Sequence, residues 1–145
     1  MNVKQLLHTM GPRELVKIGP DVIVLDAAKL MKDKDVGAIL IMEEEKLLGI
    51  VSERDLVRKI IAKELNPEST SIRTVMTENP TVIGLYAELE DCEGLMKIKN
   101  VRHLPVVDGG EVVGIVSMRN ILIVSRQERT LLAQQYEDYI RGQHS

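Results

Sequence analysis

The sequence predicts a mixed α/β (α+β) fold in which one β-α-β-β-α unit is written twice and packed around a pseudo-twofold axis, with an extra helix at the C-terminal end. Three observations predict it. The chain resembles itself at an offset of 65 residues, with thirteen of the 37 positions from Ile18 to Arg54 identical to those 65 further on. Each copy carries a helix-period apolar pattern followed by two short apolar runs split by a turn. A polar stretch with a proline, KELNPESTS from Lys63 to Ser71, lies between the copies as a linker. The first unit is therefore placed at 1–65 with its N-terminal segment, the second at 66–125, and a helix and tail at 126–145. A unit of about 60 residues buries little surface alone, so the two copies are expected to pack on each other.

The elements follow in order. Val24, Ala27, Ala28 and Met31 recur at i, i+3, i+4 and i+7, the face of an amphipathic helix, and Leu89, Cys92 and Met96 repeat it in the second copy. Ala38 to Met42 and Leu47 to Val51 are apolar enough for strands covered on both faces, joined by a turn at Glu43 to Lys46. Leu104 to Val107 and Val112 to Val116 repeat the hairpin across DGGE. Pro105 has no N–H to give a ladder, so it is expected at an edge or a bulge. The stretch ERDLVRKIIAKEL then begins the second helix of the first unit. At the C-terminal end Leu132, Tyr136, Tyr139 and Ile140 share a helical face, and Gly142 is placed to end the helix.

Composition narrows the function. The chain is 44% hydrophobic and 28% charged with a net charge of −3, which is ordinary for a globular protein and carries no pull toward nucleic acid or anionic membrane. Trp and Phe are absent and only three tyrosines are present, so the aromatic platforms of single-strand nucleic-acid readers are missing. The single cysteine, Cys92, excludes an internal disulfide and a Cys-rich zinc site. MNVKQLLHTMGPREL lacks the apolar stretch of a signal peptide and no apolar run approaches a membrane span, so a cytoplasmic protein is expected.

The phrase GIVSERD, Gly49 to Asp55, returns as GIVSMRN, Gly114 to Asn120. Ser52 with Asp55 three residues on fits a capping box, which alone accounts for both residues, and Gly49 then only allows close packing. The second reading is chemical. A helix N-terminus at a strand mouth attracts phosphate, a serine hydroxyl donates to the same anion, and an aspartate has two acceptor oxygens for a ribose diol. A phosphate at one end and a diol at the other describe a nucleotide. The residues alone leave both readings open.

The duplicated pattern resembles a tandem cystathionine β-synthase (CBS) domain pair, a Bateman module. The resemblance covers about residues 5–125 and rests on LDAAKLMKDKDVGAILI, LLGIVSERDLVRKII and VRHLPVVDGGEVVGIVSMRNIL. The family pattern, glycine-hydrophobic-x-Ser/Thr-x-x-Asp, is complete at Gly49, Ile50, Ser52 and Asp55 and ends in Asn120 in the second copy. The resemblance implies two clefts between the repeats that take AMP, ADP, ATP, S-adenosylmethionine or NAD(H) as a regulatory ligand. It implies a first cleft with Asp55 on the ribose, Ser52 near ribose and phosphate, Ile50 beside the base, Arg54 at the helix start, Pro80 and Thr81 offering backbone to adenine, and Arg102 and His103 as phosphate cations. The mirror cleft uses Leu15, Val16, Ile115, Ser117, Arg119 and Asn120, with Gly37 and Ala38 in place of the cationic pair. Because Asn has one acceptor oxygen where Asp has two, the Asp55 cleft is expected to bind a phosphorylated ligand more tightly. The resemblance further implies a homodimer assembled through helices.

Other residues read more plainly. His103 beside Arg102 is as much a polar strand-start residue as a ligand contact, whereas His8 and His144 are expected in solvent. No histidine has a cysteine or carboxylate at ligand spacing, so no metal site is expected. Cys92, on an apolar helix face, is a buried structural thiol. Met31 and Met96 are core residues, and Glu43 to Glu45 a solvated turn. No nucleophile–base set, phosphate-binding P-loop or dinucleotide fingerprint is present. The expected function is thus a non-catalytic nucleotide sensor acting on an unidentified partner. A ligand-free interaction scaffold is the alternative, and an enzyme assembled across a dimer is a third reading that turnover of ATP or NADH would reveal.

Overall fold

The computed structural model describes residues 1–142, so His144 and the end of the tail lie outside the described residues. The elements are α1 (Val3–Met10), β1 (Lys17–Ile18), α2 (Val24–Lys34), β2 (Ala38–Glu43), β3 (Lys46–Ser52), α3 (Glu53–Leu56), β4 (Thr77–Glu78), β5 (Ile83–Gly84), α4 (Leu89–Lys99), β6 (His103–Asp108), β7 (Glu111–Ser117) and α5 (Met118–Ile140). One sheet has the order β1-β2-β3-β4 and the other β5-β6-β7. The duplication holds to the residue. Both hairpins run from Ala38↔Ser52 and His103↔Ser117, and each register slips at the equivalent step, Ile41/Met42 and Val106/Val107. The first helix of each unit ends on a left-handed residue, Asp35 (φ 52) and Asn100 (φ 53), short polar side chains that tolerate this conformation.

The helical faces expected from periodicity are the buried ones. Val24, Ala27 and Met31 of α2 enter one core with Ile39, Ile41 and Val51, and Leu89, Cys92 and Met96 of α4 enter the other with Leu104, Val106 and Val116. Cys92 is fully buried, and desolvation pushes its thiol up to about 11, so it is protonated and inert. Two expectations need correction. The second helix of the first unit is α-helical only over α3 and widens into a π turn, Val57–Ile61, with Ala62 N–H reaching Val57 O at 2.9 Å. Pro105 sits neither at an edge nor at the bulge but in β6, the central strand. Its neighbour has shortened to accommodate it. In the first unit Leu40 N–H donates to Val16 O and Lys17 pairs with Leu40, whereas the equivalent Pro105 has no N–H for Thr81, so β5 begins pairing one step later, at Ile83↔Val106.

The leading segments of the two units are exchanged. Val3 and Leu6 of α1 pack in the core of the second unit, while Ile72, Val75 and Met76 pack in that of the first. A third cluster joins the units: Ala38, Leu40 and Ile50 are buried with Leu15, Leu47, Val112 and Ile115 packed around them. Helix α5 leaves this body after its first turns. Ile121 and Val124 are buried, but Leu132, Tyr136, Tyr139 and Ile140 are exposed, and Gly142 (φ 70) follows the helix end as expected.

Candidate functional site

Both repeated phrases turn from a strand into a helix through a capping box. At the first, Ser52 N–H donates to Asp55 Oδ2 at 2.9 Å, the Ser52 hydroxyl to the same oxygen at 3.2 Å, and Asp55 N–H back to Ser52 Oγ at 3.4 Å. The other oxygen is also occupied. Lys59 Nζ lies 3.0 Å from Asp55 Oδ1, and Thr77 Oγ1 donates to Oδ1 over 3.5 Å. With its side chain only 13% exposed, Asp55 is satisfied from within the protein.

At the second phrase Ser117 N–H donates to Asn120 Oδ1 and Asn120 N–H to Ser117 Oγ, both at 3.0 Å. The residues equivalent to Lys59 and Thr77 are here Val124, buried in the core, and Pro12, which has no hydroxyl. The asymmetry extends to the backbone. Strand β4 covers the edge of β3, with Gly49↔Glu78 and Ile50↔Thr77. The equivalent chain on the other side is Pro12 and Arg13, and Pro12 has no N–H to pair with β7. A cleft of about 600 Å³ remains there, lined from both units.

Leu15, Val16, Ile115, Ser117, Arg119 and Asn120 all line this cleft, as the resemblance places them. Arg102 and His103 line it too, although they were expected to face Asp55. The reason is Gly37. A Cβ there would stand 3.3 Å from His103 Nε2, so the missing side chain gives the ring room where β2 and β6 begin. The remaining residues expected around Asp55 are outside this lining. Ile50 is in the cluster joining the units, Arg54 Nη1 donates to Asn100 O at 2.9 Å, and Pro80 and Thr81 precede β5 outside the cleft. Arg13, not anticipated from the sequence, is a third arginine in the lining; its signal was Glu78 at the equivalent position, an inversion of charge between the copies.

The cleft is rich in donors. Among the described residues Arg13, Arg102 and Arg119 form no ion pair. Of the lining carboxylates, Glu14 is held by Lys34 at 2.8 Å, Glu53 lies beside the His103 ring, and Asp35 is exposed at the end of α2. Burial pushes the His103 imidazole below its ordinary value, against Glu53, which raises it, while Arg102 and Arg54 lower it further. The unfolded chain therefore takes up this proton first. Stability contributed by neutral His103 is complete above the ordinary value of 6.5 and is lost as pH falls through 6.5 toward the lower folded value. Urea midpoints across this range are expected to fall more steeply for the wild type than for His103→Gln; parallel curves would show that the ring titrates as if exposed.

Among the described residues no group of three or more His, Cys, Asp or Glu side chains is placed to hold a metal ion, and no helix is long and apolar enough to cross a membrane. A model of the CBS domain matches residues 3–62 and 72–126, and the chain belongs to the CBS domain family. It is 32% identical over 127 residues to the CBS domain-containing protein CBSX3, mitochondrial, of Arabidopsis thaliana, covering 84% of this chain and 62% of that one. The chain thus spans less than two thirds of that relative's length. The crystal structure of CBS domain NE2398 superposes with a TM-score of 0.81 at 37% identity, covering 86% of this chain and 97% of that one. The CBS domain protein PAE2072 from Pyrobaculum aerophilum, solved in complex with AMP, shares the fold at a TM-score of 0.73 and 22% identity over 83% of this chain and 89% of that one. CBS-domain proteins are typically regulatory and bind adenosine ligands.

Proposed function

We propose that this chain is a regulatory module that binds a phosphorylated adenosine ligand in the Asn120 cleft, with the ribose at Ser117 and Asn120 and the phosphate among the arginines. The single observation that carries the reading is the convergence of Arg13, Arg102 and Arg119, none of them ion-paired among the described residues, on one cleft between the units. An arginine fork suits a phosphate, and the 5′-phosphate of AMP, ADP or ATP, or the pyrophosphate of NAD(H), supplies one. S-adenosylmethionine lacks phosphate and fits these cations least. Because Arg13, Leu15 and Val16 come from the first unit and Ser117, Arg119 and Asn120 from the second, a ligand there favours one arrangement of the pair over others, which is the requirement for a sensor. The units 1–65 and 66–125 are then the two jaws, and no catalytic step is assigned to them.

The module is further read as a homodimer. Val57 and Leu122 occupy equivalent positions and are 54% and 58% exposed, and Ile61, also exposed, adds to the apolar surface one turn from Val57. The regulated partner is a protein that reads the ligand-dependent arrangement. The scaffold reading keeps one observation in its favour, the pairing of Asp55 within the protein by Lys59 and Thr77. Calorimetric titration with AMP, ADP, ATP, NADH and S-adenosylmethionine tests the two. Saturable binding of a phosphorylated member, one per chain, is the expected result; no heat with any of the five on folded protein supports the scaffold.

A further inference from the structure

We infer that the Asn120 cleft selects a nucleotide carrying a second phosphate on its ribose, at the 2′ or 3′ oxygen, in addition to its 5′-phosphate. The inference rests on the reading of the cleft as a nucleotide site with its ribose at position 120, and it comes from the hydrogen-bonding state of that residue.

The Asn120 amide has one acceptor and two donors. Its acceptor, Oδ1, is committed to Ser117 N–H at 3.0 Å, which also fixes which end of the amide is oxygen. The nitrogen has no partner among the described residues, and no buried side-chain nitrogen or oxygen there lacks one, so this NH₂ is accessible in a residue that lines the cleft. Val124 and Pro12 stand where the aspartate copy has Lys59 and Thr77, so neither side chain at those positions supplies an acceptor. The Ser117 hydroxyl oxygen accepts from Asn120 N–H, and its own hydrogen is free to donate.

Both groups at the ribose position therefore offer donors, and Arg119 is their chain neighbour in the lining. A free diol can accept from these donors through its oxygens, but its hydroxyl hydrogens find no carboxylate at position 120. A phosphate ester has only acceptor oxygens and matches all three groups. An aspartate at this position would repel the same phosphate. The two copies thus differ in the sign of what they accept: Asp55 holds a cation, Lys59, whereas Asn120 is left to hold an anion.

Competition calorimetry on the full chain at constant ionic strength tests this with four probes: AMP, ADP, adenosine 2′,5′-bisphosphate and adenosine 3′,5′-bisphosphate. One of the bisphosphates is expected to bind about tenfold or more tighter than AMP, and tighter than ADP, which adds comparable charge at the other end. Asn120→Asp is expected to remove that preference, the bisphosphates losing about tenfold or more in affinity relative to whatever AMP itself loses. Its capping box is retained, as Asp55 demonstrates at the equivalent position, and Asn120→Ala removes the donors without adding a charge. The preference for the 2′ or the 3′ ester identifies which oxygen carries the phosphate. AMP binding as tightly as both bisphosphates, or a preference that survives Asn120→Asp, overturns the inference and leaves the nucleotide site standing. Failure of all four probes to bind, with ATP and NADH equally silent, overturns both.

Discussion

Replacing Arg102 and Arg119 together by alanine is expected to weaken nucleotide binding by about a hundredfold or more, while Asp55→Ala changes it by about threefold or less. Each arginine lines the cleft without an ion pair among the described residues, so the ligand's phosphate is the partner each is left to find. A charge-assisted hydrogen bond lost from such a pair costs about 1.5–3 kcal/mol, and two of them set the scale. Asp55 is outside the lining, with its oxygens committed to Ser52, Lys59 and Thr77. Its substitution therefore affects folding, at about 1 kcal/mol for the lost N3 arm of the capping box and the Lys59 ion pair, rather than the ligand. Titration calorimetry on both variants, with thermal unfolding run beside it, separates the effects. If Asp55→Ala abolished binding and the double arginine variant retained it, the functional cleft would be the mirror one.

Gly49→Ala is expected to cost about 1–3 kcal/mol of stability, and Gly114→Ala about 1 kcal/mol or less, although the two glycines are equivalent in the duplication. A Cβ on Gly49 would stand 2.8 Å from the backbone carbonyl of Thr77 and 2.7 Å from Met76 Sδ. The carbonyl cannot retreat without breaking the β3–β4 pairing, Gly49↔Glu78 and Ile50↔Thr77. At Gly114 the nearest atoms are methyls of Leu7, at 3.3 and 3.4 Å, and a leucine rotates away. Urea unfolding of the two variants reads the difference directly; equal losses would mean that β4 yields as easily as a side chain.

Much of this architecture was legible because it depends on short-range spacing. The 65-residue offset carries over into the hairpin registers, the left-handed helix ends at Asp35 and Asn100, and both capping boxes. Leu89, Cys92 and Met96 could be assigned to a core because i, i+3 and i+7 positions lie on one face of any α-helix. The Asp55-to-Asn120 change pointed to unequal copies but to the Asp55 cleft as the tighter one, whereas the proposed site is the Asn120 cleft.

Which copy gathers the arginines was a different kind of question. It turned on groups brought together by the fold: Lys59 reaching Asp55, β4 laid along β3, Pro12 unable to do the same at β7, and His103 finding room over Gly37. Arg13 gained its meaning only when its segment crossed to face the second unit, just as α1 settled on the core of the unit it does not precede. The chain's own periodicity specified two similar units with capped helices, because helix, hairpin and cap depend on neighbours a few residues away. The pairing of Asp55 with Lys59 and the gathering of arginines at the other phrase were decided by contacts between distant segments, where the two copies differ one residue at a time.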